Sequence, residues 1–158
     1  MKNKTILIIL IILSILGLLT SLYLTNLHFN KVDSICDFNQ KFSCTDVSRS
    51  AYAKIFGVPV AMLGVIAYLG YLFVPAMLLK KFNFKRIHSS LSELLITKYY
   101  FLFALFGLFF SLYLTYLELA TIHVICPLCL VSQTLVIMIL FYGYLYFDRI
   151  KRANINKD

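Results

Sequence analysis

The sequence predicts an all-α integral membrane protein, a four-transmembrane-helix bundle with a long outer loop that contains a short interfacial helix. Hydrophobic residues make up 61% of the 158 residues and charged residues only 14%, whereas soluble domains are about 25% charged. The apolar residues form four nearly uncharged blocks of about twenty residues, long enough to cross a hydrocarbon core of about 30 Å. The predicted spans of this single domain, 1–158, are 6–24, 58–79, 99–117 and 124–147.

The first span follows a short basic N-terminus, so it could also be interpreted as a cleaved signal peptide. The sequence has no alanine before Ala51, so it lacks an A-x-A-like cleavage site, and its apolar run is longer than a usual signal core. We therefore expect a retained first helix.

The Lys and Arg residues predict the orientation in the membrane. With the N-terminus in the cytoplasm, 11 of the 15 Lys and Arg residues lie inside, at the N-terminus, in the 80–98 loop and in the C-terminal tail. The positive-inside rule then favours cytoplasmic termini on both ends. Because these residues flank apolar spans, the net charge of +8 indicates contact with membrane lipid and not with nucleic acid.

The longest predicted connection is the outer loop, residues 26–56. A structureless connection of about thirty residues is uncommon and usually functional. Helix-like spacing of apolar residues between Thr45 and Phe56 predicts the short interfacial helix, and Gly57-Val58-Pro59 then leads into the second span. Pro75 is expected to kink the end of that span. The cytoplasmic loop, 80–98, carries no recognisable chemistry, although Leu91, Leu94 and Leu95 could form an amphipathic turn.

Four cysteines lie on the outer side of this topology. Cys36 and Cys44 fall in the outer loop, and Cys126 and Cys129 open the fourth span. All four therefore share one compartment outside the reducing cytosol, and their even number points to disulfide chemistry.

The second pair, Cys126-Pro127-Leu128-Cys129, is a C-x-x-C at a helix start. Unpaired backbone N–H groups and the helix dipole stabilise a thiolate at such a position. The loop pair is expected to be mobile, so that it can meet a soluble protein and then the embedded pair, which is what thiol–disulfide exchange needs.

Other uses of the four cysteines stay open at this point. They could form two structural disulfides in a non-catalytic transporter or scaffold, or a tetrathiolate metal site, although the step from Cys36 to Cys44 is loose for zinc knuckles. Haem attachment is excluded because Leu130, and not histidine, follows Cys129. Redox exchange without a metal is the preferred interpretation.

The ordered motifs resemble the vitamin K epoxide reductase family of membrane thiol oxidoreductases, in a prokaryotic-type form without a fused thioredoxin-like domain. The resemblance covers nearly the whole chain. It rests on the four spans, Cys36-x7-Cys44, Ser50 six residues later, Phe56-Gly57-Val58-Pro59-Val60 and the final C-x-x-C.

The resemblance implies an enzyme of the plasma (inner) membrane that supports disulfide-bond formation on the periplasmic, or extracytoplasmic, face. A separate DsbA-like, thioredoxin-fold thiol oxidant would pass electrons to Cys36 and Cys44, with Cys36 expected to meet it. Cys126 would take them from the loop, and Cys129 would face a quinone, ubiquinone or menaquinone. Ser50 matches a family serine near the quinone.

Two departures from the animal enzymes favour an ordinary respiratory quinone over vitamin K epoxide. The asparagine and tyrosine of those enzymes align with Val60 and Gln133 here. The DsbB family shares the reaction class, but its C-x-x-C precedes the distant pair. Glu118 and His123 lie just before the active pair and are candidates for proton delivery, whereas His28 and His88 read as surface residues.

Overall fold

The computed structural model describes residues 3–30, 34, 36–37, 39, 43–50, 53–55, 57–80 and 93–155. The elements in chain order are helix α1 (Asn3–Asn30), helix α2 (Cys44–Arg49), strand β1 (Lys54–Ile55), strand β2 (Val58–Pro59), helix α3 (Val60–Leu79), helix α4 (Glu93–Leu117), one π-helical turn (Glu118–Ile122) and helix α5 (Pro127–Ile155). Within these residues, four helices are long and apolar enough to cross a membrane, namely Asn3–Asn30, Val60–Leu79, Glu93–Ile122 and Pro127–Ala153. The predicted four-span bundle is confirmed.

The helix ends depart from the apolar blocks in ways that hydrogen bonding explains. Helices α1 and α5 continue past the apolar runs, to Asn30 and Ile155, because an α-helix can keep its ladder of hydrogen bonds after it leaves the lipid. Helix α5 begins only at Pro127, since proline suits the first helical position, where no N–H partner is needed. Helix α3 begins at Val60 because the two preceding residues belong to a strand.

The short helix of the outer loop is present but shorter than predicted. Helix α2 ends at Arg49, where Ser50 takes an extended conformation. Strands β1 and β2 then pair antiparallel, with Ile55 opposite Val58, and Gly57 turns the chain between them at φ +81°. That φ favours glycine, which has no Cβ to clash. Of the predicted loop features, Phe56 and Leu91 lie outside the described residues, while Leu94 and Leu95 belong to α4.

The outward faces of the helices carry large apolar side chains. Ile66 of α3 is 63% exposed and Phe106 of α4 is 69% exposed. Such a continuous apolar surface suits lipid and would aggregate in water. With the four spans, it makes the protein a multi-pass membrane protein.

The inner core holds interlocked aromatic rings. Tyr71 of α3 packs edge to face on Tyr68 and on Tyr100 of α4, with ring centroids 5.8 and 6.1 Å apart. The Tyr71 hydroxyl donates to the Phe103 carbonyl at 3.2 Å, and the Tyr68 hydroxyl lies 2.8 Å from Ser132 Oγ of α5. Each buried hydroxyl therefore has the partner that an apolar interior demands.

Gly17 of α1 makes room for one of these rings. A Cβ at this position would lie 2.0 Å from the Tyr68 ring, so the ring can pack against α1 only because residue 17 has no side chain. Tyr68 is 2% exposed and hydrogen-bonded to Ser132, so it has little freedom to move aside.

We expect Gly17→Ala to lower the free energy of unfolding by about 1–3 kcal/mol through overpacking against Tyr68. Gly70→Ala is the matched control, because its added methyl group would come only to 3.3 Å from the Phe103 ring. Denaturant unfolding in one detergent, followed by circular dichroism, compares the two variants. Equal stability of Gly17→Ala and the wild type would contradict the assigned packing.

Candidate redox-active site

Cys126 and Cys129 lie at the outer end of α5, and the helix start itself organises them. Cys126 is the residue before the helix, and its Sγ accepts the backbone N–H of Cys129 at 3.3 Å. A serine or aspartate oxygen usually takes this capping role. Cys126 is 1% exposed, Cys129 is half-buried, and both are free thiols. One backbone N–H and the positive end of the α5 dipole therefore face the Cys126 sulfur.

Cys36 and Cys44 form a disulfide, with their Cα atoms 5.9 Å apart. Cys44 is the first residue of α2, whose N-cap Ser43 accepts the Asp46 N–H at 3.1 Å. Both cysteines are buried, Cys44 at 0% and Cys36 at 7% exposure. The sequence predicts a mobile, accessible pair; in this conformation the pair is instead docked against the membrane domain.

The docked disulfide packs against the C-x-x-C pair. We call the group of buried residues that joins them the outer cluster; it consists of Leu27, Cys36, Cys44, Val47 and Cys126. The Ser43 N–H donates to the Ile125 carbonyl at 3.2 Å. This bond links the residue before Cys44 to the residue before Cys126, so the four predicted cysteines meet at one place.

A cavity of about 470 Å³ adjoins this group of cysteines, three of which form part of its wall. It falls within the roughly 300–1,000 Å³ of small-molecule sites, and most of its wall is apolar. Cys126 and Cys129 line its outer end together with Cys44, whereas Tyr68 and Tyr71 lie at its inner end. A flat, apolar ring could enter this cavity and lie against the Cys129 thiol.

A family model described as the vitamin K epoxide reductase family matches residues 8–144. The chain belongs to this family. Its membership makes the protein a membrane disulfide oxidoreductase of the helical-bundle type, as its spans and its disulfide independently indicate. No curated protein matches the chain significantly.

Ser50, the serine that resembles the one family members use, lines the cavity at the end of α2. Its hydroxyl donates to the Val47 carbonyl at 2.8 Å, so the proton of this hydroxyl is already engaged. Of the two departures from the animal enzymes, Val60 lines the cavity with an apolar side chain. Gln133 is held by Thr115, whose hydroxyl lies 2.6 Å from the amide oxygen.

Sequence reasoning missed two polar groups of the cavity wall. His28, read as a surface residue, lines the cavity, and its Nδ1 lies 2.7 Å from the Ser48 carbonyl oxygen. Tyr68 lies among apolar residues in the sequence, yet its hydroxyl meets Ser132, one turn after Cys129. For Tyr68 the available signal was a polar group inside an apolar span, which usually marks function. His28 lies beyond the first predicted span and gave no such signal.

The two candidates for proton handling lie in different surroundings. Glu118 begins the π-helical turn, is 4% exposed and accepts the Cys126 N–H through Oε2 at 3.2 Å. His123 is an exposed turn residue with φ 55° and is absent from the described cavity wall. The structure therefore brings Glu118 to the cysteines and leaves His123 at the surface.

The metal alternative finds no support in the cysteine arrangement. Cys36 and Cys44 are bonded to each other and so do not form a tetrathiolate with the other pair. In the part of the chain that the structure describes, no group of three or more His, Cys, Asp or Glu residues could hold a metal ion.

Asp37 fastens the disulfide loop to α2. Its carboxylate accepts the Thr45 N–H at 3.2 Å, the Thr45 hydroxyl at 2.5 Å and the Ser34 N–H at 3.1 Å. Desolvation alone would raise the pKa of Asp37, but the hydrogen bonds from Thr45, Ser43 and Ser34 outweigh it and lower the pKa from 3.8 to about 2. Asp37 follows Cys36 and Thr45 follows Cys44, so the hydrogen bonds between Asp37 and Thr45 hold the chain beside each half of the disulfide.

The lowered pKa of Asp37 gives the docked loop a pH dependence. A carboxyl with a lowered folded pKa stabilises the fold above its ordinary pKa, and this stabilisation is lost as the pH falls through the folded value. We expect Asp37→Asn to speed reduction of the Cys36–Cys44 disulfide by a water-soluble phosphine several-fold at pH 6. The ratio of variant to wild-type rates should approach one as the pH falls from about 4 to about 2.

Asp46→Asn serves as the control, because Asp46 is an exposed acid of the same loop. Rates come from acid-quenched alkylation and mass spectrometry. An Asp37→Asn ratio that stays constant over this pH range would contradict the assigned role of the carboxylate.

Proposed function

We propose that this protein re-oxidises a DsbA-like, thioredoxin-fold thiol oxidant and passes the electrons through its two cysteine pairs to a membrane quinone, ubiquinone or menaquinone. The observation that carries the proposal is the docking of the Cys36–Cys44 disulfide onto the C-x-x-C pair. The Ser43–Ile125 hydrogen bond holds the two pairs together at the outer end of an apolar cavity.

The arrangement supports a division of labour within the loop pair. Cys44 is fully buried and lines the cavity with Cys126, whereas Cys36 is the more exposed of the two and is absent from the described cavity wall. Cys44 is therefore the better placed to exchange with Cys126, and Cys36 to meet the protein partner. Since Cys36 is itself only 7% exposed, that meeting requires the loop to open.

Electrons pass from the partner to the inner cysteine pair by a series of thiol–disulfide exchanges. A partner thiolate attacks Cys36, the Cys36–Cys44 bond breaks, and Cys44 leaves as a thiolate. Cys44 then attacks Cys126 in its disulfide with Cys129, and Cys129 leaves. The second partner thiol then releases Cys36 from its mixed disulfide, and the Cys36 thiolate attacks Cys44, which re-forms the Cys36–Cys44 bond and releases Cys126. The partner ends oxidised, and Cys126 and Cys129 end as thiols, the state that the structure contains.

The cavity fits a quinone ring by its size and its largely apolar wall. When bound there, a quinone would accept two electrons and two protons. Cys129 would face it, with Ser50 in the vicinity as the cofactor-binding residue, and the Tyr68 hydroxyl offers a polar group at the inner end. The apolar Val60 in the wall supports a quinone over an epoxide substrate.

The basic residues support a location in the plasma (inner) membrane with both termini in the cytoplasm, since 11 of 15 would lie on that side. The cysteines then face the extracytoplasmic side, where a thioredoxin-fold oxidant works. The alternative of a scaffold with two structural disulfides is less well supported, because Cys126 and Cys129 are free thiols.

Cysteine variants separate the two halves of the proposed relay. In nanodiscs supplied with short-chain ubiquinone and a reduced thioredoxin-fold oxidant, quinone absorbance reports turnover. We expect Cys126→Ala or Cys129→Ala to abolish protein-dependent quinone reduction with either reductant, because the pair that delivers electrons is gone. Cys36→Ala or Cys44→Ala should abolish it with the protein reductant but leave it with dithiothreitol, which can reduce the inner pair directly.

The comparison with dithiothreitol is also the folding control for the loop variants. Unchanged turnover in Cys126→Ala or Cys129→Ala would disprove the assignment. So would the absence of a thiol-dependent change in absorbance for the wild type with both ubiquinone and menaquinone analogues.

A further inference from the structure

The Glu118 carboxyl contacts both members of the C-x-x-C pair. Its Oε2 accepts the Cys126 N–H at 3.2 Å, and the Cys126 sulfur in turn accepts the Cys129 N–H, so the carboxyl lies beside the pair and interacts with the Cys129 thiol. The side chain is 4% exposed and forms part of the cavity wall. It is thus a buried ionisable group in direct contact with a reacting sulfur.

An irregular turn of the backbone after α4 places the Glu118 carboxyl next to the cysteine pair. Helix α4 widens into the π-helical turn Glu118–Ile122, and the chain then reverses at His123 in the left-handed conformation. Single π-helical turns occur frequently at functional sites. A buried carboxyl is also costly to keep unless hydrogen bonds or a function compensate.

The exchange chemistry creates a need for a proton at this position. When the Cys126–Cys129 bond breaks, its electron pair moves to Cys129 Sγ, which is half-buried at the edge of an apolar cavity. An unprotonated sulfur there would carry a poorly solvated charge. The Glu118 carboxyl, fixed by its bond to the Cys126 N–H, is an acidic group that interacts with this sulfur.

We propose that Glu118 is the acid–base residue of the C-x-x-C pair, an inference that rests on the proposed thiol–disulfide function. As the Cys44 thiolate bonds to Cys126, the Cys126–Cys129 bond breaks and Glu118 gives its proton to Cys129 Sγ. When the pair is oxidised again, the Cys129 thiol returns this proton to the Glu118 carboxylate. The residue touches the reacting sulfur in both directions.

A purely structural role for Glu118 would be to cap the Cys126 N–H. Glutamine tests that role directly, because its amide oxygen can accept the same hydrogen bond but its side chain cannot carry the proton. Aspartate keeps an ionisable carboxyl on a shorter stem. The two variants therefore separate capping from proton transfer.

The test measures reduction of the Cys126–Cys129 disulfide by dithiothreitol in the full chain, purified without quinone and oxidised with diamide. Acid-quenched samples are alkylated, and the peptide that contains Cys126 and Cys129 is quantified by mass spectrometry. We expect Glu118→Gln to slow this reduction about 100-fold, a loss typical of a missing general acid. Glu118→Asp should be reduced at least about tenfold faster than Glu118→Gln.

Glu93→Gln is the matched control, because Glu93 begins the same helix α4 and accepts the Tyr146 hydroxyl at 2.7 Å, far from the cysteines. It should react at the wild-type rate. A rate for Glu118→Gln within about threefold of wild type, or a Glu118→Asp rate no faster than Glu118→Gln, would overturn the proposal. If the glutamine variant does not fold, Glu118→Asp is compared with wild type, and a loss of about 100-fold or more would overturn the proposal.

This reduction requires neither quinone nor a protein partner. A wild-type chain that reduces no quinone would therefore overturn the proposed relay to quinone, and the effect of Glu118 on its own cysteine pair would still be measured. Conversely, an active relay with a fast Glu118→Gln variant would overturn only the role of Glu118.

Discussion

Lipid offers no hydrogen-bond partner to a backbone amide, and this constraint governs where the chain can be irregular. Within the described residues, the apolar spans are continuous helices, and the π-helical turn, the β1–β2 hairpin and the disulfide loop lie near the outer ends of the helices. There, backbone groups find partners in the protein, as the Ser43 N–H does at the Ile125 carbonyl. The redox groups lie at this end, among the segments that connect the spans, and not within the spans themselves.

The same constraint explains why the four-helix architecture could be predicted from the sequence. Spans are recognised by their composition, and the cysteines could be assigned to one face from the order of the spans alone. The docking of the loop could not be predicted in this way, because it depends on backbone contacts such as the Ser43–Ile125 hydrogen bond and on burial of Cys44 and Val47. Ser50 was predicted by position, whereas the place of His28 in the cavity wall depends on the tertiary contact between α1 and α2, where its ring meets the Ser48 carbonyl.

Glu118 shows the limit of sequence reasoning at a site. Its place before the C-x-x-C made it one of two equal candidates with His123. Glu118 lies eight residues before Cys126, and a helix of ordinary geometry between them would not show which side chain faces the cysteines. The π-helical turn and the left-handed His123 determine which of the two reaches the cysteines, and neither feature has a reliable sequence signature.

The proposed relay requires that the two pairs exchange within the protein, with Cys44 as the partner of Cys126. The most direct measurement is the disulfide connectivity of purified Cys129→Ala, determined by non-reducing digestion and mass spectrometry. Without Cys129, the Cys126 thiol should attack the loop disulfide and accumulate as a Cys44–Cys126 bond, with Cys36 free. A chain that retains only the Cys36–Cys44 bond, or one that joins Cys36 to Cys126 instead, would contradict direct exchange between Cys44 and Cys126.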